Sequence, residues 1–165
     1  MHVLFLCTGN SCRSIVAEAL FNHLAPETWS AMSAGSRPVG AVHPRALALL
    51  NRKGIHTAAL SSLASKSWDN LPAMPDVVIT VCGNAARETC PAYLGPAMRA
   101  HWGVDDPAKV IGSSAHIDAA FELAYTVLRE RITVFFALPL DTLVNDRPAF
   151  TEALHQIGRS PDGRR

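Results

Sequence analysis

The chain opens on "HVLFLCTGNSCRSIVAEALFNHLAP", in which an apolar run breaks off at Cys7 and gives way to small polar residues. Residues 2–6 offer no alternating polar position, so they read as a strand buried on both faces, as in a parallel sheet. Gly9 and Asn10 mark a turn. Residues 14–25 then place Ile15, Ala19, Leu20 and His23/Leu24 at helical spacing, and Pro26 ends the helix. A doubly buried strand that runs through a short loop into a helix needs further parallel strands beside it and helices on both faces.

The remaining pattern supplies them. Residues 29–35 read as a short strand that stops at Gly35, and residues 43–54 as a helix with Pro44 at its start and Gly54 as its stop. Residues 61–71 are polar and irregular, with room for one short helix. Residues 75–82, "PDVVITVC", form the strongest strand signal, and residues 98–102 a weaker fourth strand before the loop "GVDDPAK". The longest helical pattern covers residues 115–138, with Ile117, Phe121, Leu123/Ala124, Val127/Leu128 and Ile132 as its apolar stripe. Pro139 interrupts it, and residues 151–158 read as a last short helix before a frayed tail. The expectation is one α/β domain over residues 1–138, with residues 139–165 as a C-terminal extension, partly helical and disordered at its end.

A formal net charge of +1 argues against a nucleic-acid or anionic-membrane binder, which carries a basic excess. No apolar stretch approaches the roughly 20 residues that span a bilayer. The N-terminus lacks a basic flank and a small-residue cleavage site, so the expected location is the cytoplasm. Thiols stay reduced there, and the four cysteines read as chemistry or core packing.

Ligands of such a sheet bind at the carboxyl ends of the strands. The backbone amides of Thr8, Gly9, Asn10, Ser11 and Cys12, with the helix start at Arg13 and Ser14, form a cradle for an anion. Arg13 adds a planar fork matched to tetrahedral oxyanions, and Ser14 is placed to hydrogen-bond the sulfur. Cys7 in that setting is a nucleophile aimed at a bound oxyanion. If the first and third strands are neighbours, about 4.8 Å apart, Cys7 and Cys82 emerge at one sheet edge. Asp105 and Asp106 follow the fourth strand and open there too. Two cysteines with seven residues between them and no histidine at ligand spacing do not make a zinc site, and no metal is expected. Trp102 reads as a packing residue.

"CTGNSCRS" resembles the phosphate-binding loop of the low-molecular-weight tyrosine phosphatase fold. Together with "SAG" (33–35), "TVCGNAARETCP" (80–91) and "HWGVDDP" (101–107), it resembles the thioredoxin-coupled arsenate reductases built on that fold. The resemblance covers roughly residues 2–135 and implies a four-stranded parallel sheet in the order 2-1-3-4. It implies reduction of arsenate to arsenite by a relay. Cys7 attacks arsenate, Asp106 protonates the departing oxygen, Cys82 attacks Cys7, and Cys90 attacks Cys82. Thioredoxin, or glutaredoxin with glutathione, then reduces the 82–90 disulfide, and no tightly bound cofactor is needed. Phosphate and sulfate are the competing anions. A helical 82–90 segment would hold its ends about 12 Å apart. A disulfide needs Cα atoms within roughly 7 Å, so residues 82–96 are expected to rearrange on oxidation. Some relatives bind potassium through residues matching Asn10, Glu18 and Ser33; here Lys66 falls where a further aspartate would stand. Two other readings remain open: a phosphatase, which has no use for two extra thiols, and a non-catalytic oxyanion or redox sensor.

Overall fold

The structure is a computed structural model that describes residues 1–55, 63–89 and 91–160. Cys90 and the tail 161–165 lie outside the described residues, so the expectations that fall on them are not addressed by it.

Four parallel strands form one sheet in the order β2-β1-β3-β4: β1 His2–Cys7, β2 Ser30–Gly35, β3 Val77–Thr80 and β4 Met98–His101. The apolar run of β1 divides between two cores because successive side chains point to opposite faces. Val3, Phe5 and Cys7 join Val77, Ile79 and Val81 on one side, while Leu4 and Leu6 join Val78 and Met32 on the other. No polar position interrupts the run because neither face meets water.

The larger core lies under α1 (Arg13–Leu24), α2 (Pro44–Arg52) and the long α4 (Ser114–Ala137). Between β3 and β4 stands a short helix, α3 (Gly83–Arg87). The smaller core is closed by Leu94 with Trp68 and Leu71 from two single 3-10 turns. α1 stops because the residue before Pro26 is pushed out of the helical region, and Ala25 is extended at ψ 139°. His23 and Leu24 are exposed in this last turn, so the apolar face of α1 ends at Phe21.

α4 buries Phe121, Ala124, Leu128 and Ile132 of the expected stripe, and Leu123 falls outside it. Its buried face runs Phe121, Ala124, Tyr125, Leu128, Arg131, Ile132 and Phe135, whereas Leu123 is 63% exposed. Position 123 lies two residues from 121, on the far side of a 3.6-residue turn.

The segment after Pro139 is part of the core. Leu140–Leu143 form the short α5, and α6 spans Arg147–Arg159, longer than residues 151–158. Asp146 caps α6 by accepting from the Ala149 N–H at 3.1 Å, and Pro148 sits in the first turn, where a missing N–H does no harm. Phe150, Leu154 and Ile157 are buried. Trp102 is fully buried, and its indole Nε1–H donates to the Leu154 carbonyl at 2.9 Å.

Candidate active site

Cys7 is the last residue of β1, and the loop that follows is held by its own polar atoms. Asn10 adopts a left-handed φ of 43°, a conformation that asparagine tolerates better than most residues. That turn aims the Asn10 N–H at Cys7 Sγ, 3.1 Å away. The Asn10 side chain is fully buried and fully used. Its Nδ2 donates to Ser14 Oγ and to Ser33 Oγ, each at 2.9 Å, and its Oδ1 accepts from the Lys66 N–H at 2.6 Å. With the amide donating, the Ser14 hydroxyl proton is free for Cys7 Sγ at 3.0 Å. Two donors thus converge on one sulfur, the pattern an anionic nucleophile needs.

Gly35 explains the "SAG" stretch. A Cβ there would stand 2.4 Å from the Thr8 carbonyl and 3.0 Å from the Asn10 N, so only glycine lets the loop cross the end of β2. Residues 36–43 wrap the outside through backbone bonds: Arg37 N–H to Thr8 O, Val39 N–H to Gly9 O and His43 N–H to Ser11 O.

Behind the loop a hydrogen-bonded chain continues from Asn10 through Ser33 to Glu18, whose Oε2 accepts from the Ser33 hydroxyl. Lys66 Nζ stands 3.4 Å from the same oxygen. Burial raises Glu18 above its usual carboxylate range, while Ser33 and Lys66 pull it down. Of the three, Glu18 meets the Lys66 ammonium, while Asn10 takes the Lys66 backbone N–H and Ser33 joins the two.

Arg13, in the first turn of α1, carries the positive charge of the site. Its Nη1 donates to the Val104 carbonyl at 2.9 Å and its Nη2 stands 3.0 Å from Asp106 Oδ2. A guanidinium has five N–H donors, so three remain for a ligand. Asp106 caps the following 3-10 turn through Oδ1, which accepts from the Ala108 N–H at 3.1 Å.

Cys7, Gly9, Cys12, Arg13 and Asp106 line a cavity of about 230 Å³. Thr8, Gly9, Arg13, Cys82 and Asp106 line an adjoining one of about 460 Å³, with Asp105 at its wall. The sequence positions Cys7, Cys82, Arg13 and Asp106 are thus brought to one sheet edge. Cys82 is buried at the N-terminus of α3, where Sγ accepts from the Ala85 N–H at 3.4 Å and lies 3.7 Å from Thr8 Oγ1. Cys7, Cys12 and Cys82 are free thiols. Cys12 is 7% exposed; burial, then Asp106 and Cys7, push its thiol up to about 12, so it stays protonated.

Two participants escape a reading of the sequence. The Val104 carbonyl that holds Arg13 is backbone and leaves no residue signature. Glu88, whose Oε1 accepts from Thr8 Oγ1 at 3.4 Å, had one: it is the single acid between Cys82 and Cys90. Among the described residues, no group of three or more His, Cys, Asp or Glu is arranged to hold a metal, and no helix is long and apolar enough to cross a membrane.

The model of the low molecular weight phosphotyrosine protein phosphatase family matches residues 2–147. An arsenate reductase of Halalkalibacterium halodurans is 38% identical over 134 residues, covering 81% of this chain and 93% of that protein. A solved arsenate reductase in the phosphate binding state superposes with a TM-score of 0.64 at 28% identity, covering 82% of this chain and 96% of the other. A thioredoxin-dependent arsenate reductase of Corynebacterium glutamicum gives a TM-score of 0.56 at 27% identity over 81% of this chain and 62% of its own. With the sheet order, the Cys7–Arg13 loop and these likenesses in agreement, the chain belongs to the low molecular weight phosphotyrosine protein phosphatase family and stands with the arsenate reductases of that fold.

Proposed function

We propose that this chain reduces arsenate to arsenite through Cys7, Cys82 and Cys90, with thioredoxin as reductant, and so serves arsenic detoxification in the cytoplasm. The observation that carries the reading is the pair of thiols. Cys7 and Cys82 line adjoining cavities that share Gly9, Arg13 and Asp106. Hydrolysis of a phosphate ester needs one thiol, an oxyanion cradle and an acid; a second free thiol beside them suits electron transfer.

The cradle amides and the spare donors of Arg13 hold the oxyanion, and Cys7 Sγ attacks arsenic. Asp106 passes the Cys7 thiol proton to the oxygen that leaves as water, giving a Cys7–arsenic adduct. Cys82 Sγ then attacks Cys7 Sγ, the sulfur–arsenic bond breaks, and its electron pair reduces arsenic from the pentavalent to the trivalent state. Cys90 attacks Cys82, and an external dithiol reduces the 82–90 disulfide. Thioredoxin is the dithiol we assign; glutaredoxin with glutathione is the alternative donor. No resident cofactor enters any step. Phosphate and sulfate compete for the cradle, and slow hydrolysis of aryl phosphates follows because the same thiol, arginine and acid serve it.

The test measures arsenite production with thioredoxin, thioredoxin reductase and NADPH beside hydrolysis of an aryl phosphate. Cys82→Ser and Cys90→Ser should each abolish turnover and leave aryl phosphate hydrolysis standing. Arsenite turnover that survives both substitutions would sink the relay, and hydrolysis faster than reduction would make the protein a phosphatase.

A further inference from the structure

The reduction step leaves one proton unassigned, that of the Cys82 thiol. Thr8 Oγ1 stands between Cys82 Sγ at 3.7 Å and Glu88 Oε1 at 3.4 Å, and donates to the carboxylate. A hydroxyl has one proton, so with that proton on the Glu88 side its lone pairs face the thiol, which is then the donor. The second carboxylate oxygen, Glu88 Oε2, is buried with no hydrogen-bond partner among the described residues. An unpaired buried acceptor is costly, and a proton delivered to this carboxylate relieves part of that cost.

We propose that Glu88 accepts the Cys82 proton through Thr8 as Cys82 attacks Cys7. The inference rests on the three-thiol relay. In the step, the Cys82–Cys7 sulfur–sulfur bond forms while the sulfur–arsenic bond breaks, and its electron pair goes to arsenic. The thiol proton moves to Thr8 Oγ1 as the Thr8 hydroxyl proton moves to Glu88 Oε1. Glu88 is 22% exposed and returns its proton to solvent. Because it acts through Thr8, Glu88 is a positioning and proton-accepting residue rather than one that touches the reacting sulfur.

Other charges face this path. Arg37 Nη2 lies 3.8 Å from Glu88 Oε1, and Arg99, His101 and His155 line a cavity together with Glu88. Arg13, Asp105, Asp106 and Lys109 line the cavity at Cys82. All of these are common to wild type and a Glu88 variant, so the ratio of the two rates isolates Glu88.

The experiment is rapid-quench single turnover of the reduced full chain with arsenate and no thioredoxin, from pH 6 to 9. It follows arsenite release and the Cys7–Cys82 disulfide by mass spectrometry. Glu88→Gln should slow disulfide formation about a hundredfold near pH 6.5, the size of a general-base contribution. The gap should close toward pH 9, where hydroxide competes with the carboxylate as the proton acceptor. Glu88→Asp should recover much of the rate, which a loss of packing would not predict. Equal rates and equal pH dependence for wild type and Glu88→Gln would overturn the proposal. Cys82→Ser separates the two levels: arsenite release that survives it removes the relay itself. Loss of release in Cys82→Ser with a wild-type Glu88→Gln removes Glu88 alone.

Discussion

Arg13 and Asp106 are bound to each other in the ligand-free protein, Nη2 to Oδ2 at 3.0 Å, and the Val104 carbonyl holds the other arm of the guanidinium. An incoming oxyanion therefore shares Arg13 with a carboxylate of its own sign. Asp106→Asn keeps an oxygen for the cap on Ala108 and removes both the competing charge and the acid. The expected outcome is a split: kcat for arsenate reduction falls about a hundredfold, while phosphate binding, measured by calorimetry, is tighter than in wild type. Weaker phosphate binding in the variant would mean that Asp106 chiefly orients Arg13.

Lys66 makes the buried Glu18 tolerable, and the sign of its effect on stability can be worked out. Burial holds Glu18 above its usual carboxylate range. A raised acid binds its proton more tightly folded than unfolded, so its stabilisation is complete below the unfolded pKa and is lost as pH rises through the folded one. Lys66→Met removes the ammonium that opposes the shift and extends that loss. Thermal melts should show little change at pH 4.5 and a deficit of about 2 kcal/mol at pH 8. Glu18→Gln in the same background should abolish the pH dependence. A deficit equal at both pH values would make Lys66 a packing residue only.

What the chain reveals on its own depends on the kind of contact. The strand–loop–helix unit is legible because "VLFL" has no polar position, and the parallel sheet follows from it. Cys7 and Arg13 are legible because their chemistry is local to one loop. Arg131 is not: a charge on the buried face of α4 breaks the apolar stripe, yet its Nη1 is satisfied by the Gly103 carbonyl at 2.9 Å. The start of α6 is hidden for a different reason, since Pro148 reads as a breaker in sequence and sits in a helical first turn in space. Lys66 meets Asn10 across 56 residues, a pairing set by the fold and by no local pattern.

Cys12 and Cys7 share a loop but not a reactivity. With its thiol pushed up to about 12 by burial, Cys12 stays protonated at pH 8 and is a poor nucleophile. Iodoacetamide mapped by mass spectrometry should leave Cys12 unmodified in the native protein at pH 8 and modify it after unfolding in urea. Native labelling of Cys12 at a rate near that of the unfolded chain would contradict its burial.

Gly158 brings α6 close against the end of β4. A Cβ on it would stand 2.1 Å from the His101 carbonyl and 2.9 Å from Trp102 Cδ1. Backbone cannot yield as a flexible side chain does, so α6 must lift away and loosen Leu154, which accepts from Trp102. Gly158→Ala is expected to destabilise by about 1–3 kcal/mol, the range of overpacking. For a domain of this size that lowers the melting temperature by about 8 °C. An unchanged melt would show that α6 is dispensable to the core.

Gly83 opens α3 directly after Cys82, and its setting is the opposite of that of Gly158. A Cβ at Gly83 meets nothing within 4 Å, so no packing requires glycine there. Alanine favours a helix over glycine by about 1 kcal/mol, and Gly83→Ala should therefore strengthen α3 in the reduced protein. If Cys82 must leave that helix to bond Cys90, the added stability opposes the move. The expected result is a reduced state with slower amide exchange over residues 83–88 and a Cys82–Cys90 disulfide that forms about fivefold more slowly, as about 1 kcal/mol requires. Formation of the Cys7–Cys82 disulfide should change little, because Cys82 already faces the site from the start of α3. Unaltered kinetics for both disulfides, with the extra protection present, would mean that oxidation proceeds without unwinding this helix.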